Sequence, residues 1–132
     1  MKGLLDTHVF LWAVFSPEKL SAAVRPLIQD ANNSLFISTI SFWEISLKYS
    51  MGKLELQGCS PENLPEVASA MQLELLHPSA EELASFHRLP RLTHKDPFDR
   101  LIIWQALQKQ LQFVSKDQRL SEYQSLGLKV IW

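Results

Sequence analysis

One cysteine, Cys59, occurs in 132 residues, and that scarcity excludes an internal disulfide and any cysteine-built zinc site. It fits a reducing compartment, so the expected location is the cytoplasm. No apolar stretch approaches the roughly 18 residues of a membrane-spanning helix. Asp6 and His8 also interrupt the apolar stretch that a secretion signal would need near the N-terminus, so no membrane partner is expected. Positive charge is not in excess: 13 Lys plus Arg stand against 14 Asp plus Glu, a formal net charge of -1. No global field therefore draws the chain to polyanions, and any nucleic acid must be held by a local patch. Repeats, low-complexity tracts and linkers are missing too, which leaves one expected domain over residues 1–132. With 46% hydrophobic residues it has material for a core without a structural metal.

Short apolar runs at 3–5, 35–38, 73–76, 112–115 and 128–131 are long enough for buried strands and too short for helices. Between them, residues 7–14, 21–31, 41–51, 62–71, 80–87 and 98–110 carry apolar positions at helical spacing, several opening on signals such as Ser60-Pro61 or Asp96-Pro97. Strands that alternate with helices predict a parallel sheet, because a parallel connection needs a crossover. The expected class is α/β, a three-layer α/β/α sandwich with about five strands. Ligands in such sheets bind beyond the carboxyl ends of the strands, where helix N-termini point inward.

Acids collect at those ends. Asp6 follows the first strand, Asp117 follows the fourth, Glu44 opens the helix after the second, and Asp96 and Asp99 open the helix that leads into the fourth. Carboxylates converging on one edge repel one another unless a cation sits between them, and a hard divalent ion such as Mg2+ suits an all-oxygen cup. Each acid also has a plain structural reading. Asp6 and Asp117 each suit a cap, Ser41 and Glu44 have the spacing of a capping box, and Asp96-Pro97 reads as an N-cap followed by Pro at the first helical position. The cap is the preferred role for Asp96, leaving Asp99 one turn on to face the cup.

The segments LLDTHVFLW, ISFWEIS, HKDPFDRLIIWQA and FVSKD, in that order and over nearly the whole chain, resemble the PIN domain and in particular its VapC-type toxin branch. The resemblance implies a sheet of order 3-2-1-4-5 and a metal-dependent ribonuclease whose catalytic and metal-binding acids fall on Asp6, Glu44, Asp99 and Asp117. It implies Mg2+ or Mn2+ as cofactor, a homodimer, and a cognate antitoxin as partner. Asp96 matches the first Asp of the D-P-F-D motif as a supporting residue, and Ser115 stands where many members have Thr.

The chemistry expected is metal-activated water attacking an RNA phosphodiester. Thr7 either binds a metal-held water or opens the first helix. Substrate grip is assigned to Arg88, Arg91, Lys95, Arg100, Lys116 and Arg119, with internal pairing as the other reading of Arg100. His94 reads as a loop histidine satisfied locally, with a contact to substrate phosphate or behind a metal ligand as its other reading. Trp12, Phe15, Phe42, Trp43 and Trp104 read as core, some of them available to a partner helix. The alternative is a catalytically silent interaction module that keeps the fold and its acids. Two other classes fail on named positions. An aspartyl phosphotransferase would need Asp where His8 stands, and a receiver domain would need an Asp between Asp30 and Asp96, where none occurs.

Overall fold

A computed structural model describes residues 1–92 and 94–132. Its five strands are β1 (Lys2–Leu5), β2 (Ser34–Ser38), β3 (Glu74–Leu76), β4 (Gln112–Val114) and β5 (Lys129–Ile131). They form one parallel sheet in the order β3-β2-β1-β4-β5. Successive side chains on a strand face opposite ways, and adjacent apolar residues here feed two different cores. Leu5, in register with Ile37 and Val114, packs with Val9 and Phe10 of α1 (Thr7–Phe15), Val24 of α2 (Val24–Gln29), Ile45 of α3 (Thr39–Ser50) and Leu64 of α4 (Leu64–Ala70). Leu4, in register with Phe36 and Phe113, packs with Ile102 and Ile103 of α6 (Pro97–Lys109) and with Tyr123 of α7 (Ser121–Gln124). Two cores on one sheet make three layers. Every expected strand is present within one residue of its expected bounds.

Helix boundaries differ more. The stretch expected as helix 21–31 contracts to α2, because Ser21 Oγ accepts from Val24 N and holds the entering turn. A 3-10 turn, Pro61–Asn63, precedes α4, and another, Phe86–Arg88, follows α5 (Ala80–Ser85). The capping box that was the alternative reading of Ser41 and Glu44 does not form. The chain enters α3 two residues earlier, with Ser38 as its N-cap accepting from Ile40 N at 3.1 Å, so Ser41 lies inside the helix. Trp43, whose default reading was core, is 59% exposed and packs edge to face with Phe98, because the apolar face of α3 runs through Phe42 and Ile45 instead. Trp104 is buried and donates its indole N–H to Glu82 O at 3.0 Å.

The strand order sets the site. The chain runs outward from β1 through β2 to β3, then returns to place β4 on the other side of β1, so the direction of winding switches between β1 and β4. That is where open α/β sheets bind ligands. The residues that follow β1 and β4 flank this point.

Candidate metal centre

Asp6 leaves β1 with its backbone N–H still bonded to Val114 O, which fixes it at the switch point. Its side chain is buried and fully engaged. Oδ1 accepts from Thr7 N at 2.8 Å, the cap of α1, and Oδ2 accepts from Ser115 Oγ at 2.7 Å. Ser115 also accepts from Asp117 N at 3.1 Å, so one hydroxyl joins the ends of β1 and β4. Thr7 sits in the first turn of α1, and its Oγ1 lies 2.8 Å from Ser41 Oγ, tying α1 to α3. The cap reading of Asp6 holds through Oδ1.

Glu44, 1% exposed, lies a turn and a half into α3. Lys48, one turn on, reaches its Oε2 at 2.5 Å, while Oε1 is buried with no hydrogen-bond partner among the described residues. Asp96 is the N-cap of α6, with Oδ1 accepting from Phe98 N and Asp99 N, and its Oδ2 stands 3.9 Å from Lys48 Nζ. Asp117 accepts through Oδ1 from Arg119 N at 2.9 Å, capping the 3-10 turn Gln118–Leu120. The Arg119 guanidinium adds contacts at 3.1 and 3.2 Å.

His94 corrects the sequence reading. It is buried, and one of its partners is distant in sequence: Nε2 lies 2.8 Å from Asp117 Oδ2, as well as 3.3 Å from Oδ2 of the nearby Asp99. Nothing in the sequence places the loop before α6 beneath β4, so only the tertiary fold reveals this contact. Lys48 was also missed, although the Glu-to-Lys spacing of four on a helix is a readable signal.

The electrostatics follow from crowding. Burial, then the charges of Asp6, Glu44 and Asp96, push the Asp99 carboxyl up to about 8 from 3.8, against the pull of Lys48. Burial likewise raises Asp6, although the Ser115 hydrogen bond opposes it. Burial would raise Asp117 too, but the hydrogen bonds from Arg119 and His94 outweigh it and hold that carboxyl below its usual range. Oxygens of Glu44, Asp96 and Asp99 lie within 4.8 Å of one another, and so do ligand atoms of His94, Asp99 and Asp117, with Asp99 common to both groups. An unpartnered buried oxygen on Glu44 beside a carboxyl that resists ionisation marks a deficit of positive charge. The donor set fits a divalent cation.

Beside the acids opens a cleft of about 380 Å³ lined by Asp6, Trp12, Asp99, Lys116, Asp117 and Arg119 among others. Lys116 Nζ lies 5.7 Å from the centre of the Trp12 ring. A second recess, about 420 Å³, is lined by Arg91, Lys95 and Arg100 with Leu92 and His94. Arg88 is exposed on its 3-10 turn and lines neither. Arg100 is internally engaged: it donates to Leu89 O at 3.1 Å and Pro90 O at 3.4 Å and stacks over Phe86.

The sequence pattern of the PIN domain matches residues 3–126. The chain belongs to the PIN domain family. Ribonuclease VapC22 of Mycobacterium tuberculosis is 29% identical over 129 residues, covering 98% of this chain and 97% of that protein. Among solved structures, VapBC2 from Rickettsia felis bound to a DNA fragment from its promoter has a chain that matches with a TM-score of 0.68 at 19% identity, covering 100% and 99% of the two chains. VapBC-5 of M. tuberculosis, described as a member of the VapBC family of toxin-antitoxin systems, matches at 0.60 and 16% identity over 98% and 97%. Likeness at such identity speaks for the fold, and the order expected from the resemblance is the order observed.

In this PIN domain Ser115 is the joint between the two central strand ends. Ser115→Ala leaves Asp6 Oδ2 and Asp117 N without their shared partner, and the expected cost is about 1–2 kcal/mol of folding stability. Urea unfolding at pH 7 checks this, and a loss below about 0.3 kcal/mol would mean that the hydroxyl is dispensable.

Proposed function

We propose that this PIN domain, acting as a single unit over residues 1–132, is an endoribonuclease that depends on Mg2+ or Mn2+ and serves as the toxin of a toxin–antitoxin pair. The observation that carries the reading is the charge deficit at Glu44 and Asp99 beside an open cleft. A fold with intact capping and no cation to hold would have no reason to bury it. Asp6, Glu44 and Asp99 hold the principal ion, and Asp117 holds it through water or takes a second. When bound, such an ion supplies Lewis-acid activation of water and stabilises charge at the phosphodiester.

The rest is done by side chains of the chain itself. Ser115 aims Asp6, and Asp96 closes the first turn of α6 so that Asp99 faces the cleft. Arg119 reaches both oxygens of Asp117 and His94 reaches Oδ2, and together they fix Asp117 and keep it ionised. Lys116 and Arg119 line the cleft and Arg91 and Lys95 the second recess, so phosphates on either side of the scissile bond meet cations. Arg88 is retained as a rim contact. Arg100 is better read as a tie for the 86–90 loop than as a phosphate ligand.

RNA as the substrate rests on the likeness to the mycobacterial ribonuclease, and an antitoxin partner on the toxin-antitoxin complexes among the structural neighbours. A homodimer is proposed with them, as is a cytoplasmic site of action. Among the described residues no helix is long and apolar enough to cross a membrane. The reading is tested by incubating a mixed pool of single-stranded and structured RNA with the purified protein and Mn2+, beside an EDTA control. Cutting that EDTA stops supports it, whereas a folded, partner-free protein that leaves every RNA intact favours the silent interaction module. Arg91→Ala is expected to weaken RNA binding and lower the salt slope by about 1. Titrations at several salt concentrations measure it, and an unchanged slope removes Arg91 from the RNA path.

A further inference from the structure

We infer that Lys48 is a resident counter-cation of the carboxylate cluster, seated on Glu44 where a divalent ion must displace it, so that it sets how tightly the metal is held. The inference rests on the metal reading above and concerns a residue to which the sequence reading gave no role. Three features of its placement carry it.

The first is position. Lys48 Nζ touches Glu44 Oε2 at 2.5 Å and stands 3.9 Å from Asp96 Oδ2. Those two acids and Asp99 are one of the two groups whose oxygens converge within metal reach. The ammonium therefore occupies the mouth of a cation site, and the helical spacing of four that brings it there is fixed by α3 itself.

The second is asymmetry. The Glu44 side chain is 2% exposed and that of Lys48 is 34% exposed. The carboxylate is shut away from solvent, whereas the lysine is a flexible stem whose side chain is partly in solvent. If two cations compete for Glu44, the lysine is the one free to leave. The third is incompleteness. Lys48 serves only Oε2, and Oε1 remains buried without a partner among the described residues. One ammonium does not neutralise the group, so the cluster still attracts a second positive charge, and that charge meets repulsion from Lys48 unless the lysine swings out.

The consequence is an exchange. Without metal, Lys48 keeps the buried Glu44 charge compensated and the site assembled. With metal, it moves toward solvent, and the cost of moving it is subtracted from metal affinity.

Mn2+ alone is the probe, with affinity read by calorimetry on the whole chain at pH 8. Lys48→Met is expected to bind Mn2+ roughly tenfold more tightly than wild type, and Lys48→Arg, which restores the charge, to stay within about threefold. Lys53→Met removes a neighbouring charge from the same recess, which Thr7, Glu44 and Lys48 also line. It is expected to change affinity less than about twofold. Equal or weaker binding by Lys48→Met, or equal tightening by Lys53→Met, overturns the inference. Should Lys48→Met fail to fold, wild type decides by NMR. Saturating Mg2+ is expected to move the Lys48 ε-methylene signal toward that of a solvated lysine, and a signal that stays put overturns the inference. A wild type that binds no Mn2+ removes the metal reading itself and this inference with it, a separate failure because the role of Lys48 is read from differences among chains that bind.

Discussion

Asp99→Asn is expected to abolish RNA cleavage and, in the same protein, to raise the stability of the metal-free fold at pH 8. Asp99 belongs to both groups of converging ligand atoms, so its loss takes a donor from either arrangement of ions. An ion contributes several kcal/mol of charge stabilisation at a phosphoryl group, and the expected fall in cleavage is roughly 100-fold or more. The stability gain has the opposite origin. The Asp99 carboxyl titrates near 8 in the fold against 3.8 in the open chain, so the folded state prefers it protonated. Below about pH 4 it is protonated in both states and imposes no penalty. As pH rises toward 8 the unfolded chain releases the proton freely while the fold resists, and stability declines until the group ionises in both states. Asparagine has no charge to resist, so the variant gains nothing near pH 4 and at least about 2 kcal/mol at pH 8, a rise of at least about 6 °C in Tm for a domain of this size. Thermal melts of both proteins in EDTA at the two pH values measure it. A variant less stable than wild type at pH 8 would mean that Asp99 is ionised and satisfied without a metal.

Metal binding should carry the same proton in reverse. A cation needs the carboxylate of Asp99, so below pH 8 each binding event expels a proton, and affinity is expected to rise about tenfold per pH unit between pH 6 and 8 and to level off above. At 100 times its dissociation constant Mn2+ is expected to add about 2.7 kcal/mol to folding stability. Calorimetric titration in two buffers of different ionisation enthalpy counts the proton directly. Affinity that does not change between pH 6 and 8 would contradict the charge deficit at the core of the site.

How much of this was legible beforehand depends on range. Strands were readable because buried parallel strands need uninterrupted apolar runs, and the acids were readable because each stands a fixed few residues past a strand or at a helix start. The cap at Asp96 followed from Asp-Pro alone. The start of α3 was placed two residues late because Ser38 offered as good a cap as Ser41, and local rules do not rank the two. Trp43 was misassigned because helical spacing identifies an apolar face but not how wide it is. The contact of His94 with Asp117 spans 23 residues of sequence, and the Ser115 bridge to Asp6 spans 109. Such contacts are consequences of strand order, which motifs supply only through resemblance. The engagement of Arg100 with Leu89 and Pro90 was open between two readings until the loop was seen.

The account turns on whether the ion held by these carboxylates is the one that cuts RNA. The direct measurement is a Mn2+ titration in which occupancy, read by electron paramagnetic resonance, and RNA cleavage rate are followed in the same samples at pH 8. The account predicts that the two curves rise together, and that Glu44→Gln, which alters one ligand, shifts both to higher Mn2+ by the same factor. Full cleavage in EDTA, or complete occupancy with no cleavage of any RNA in the pool, would contradict it.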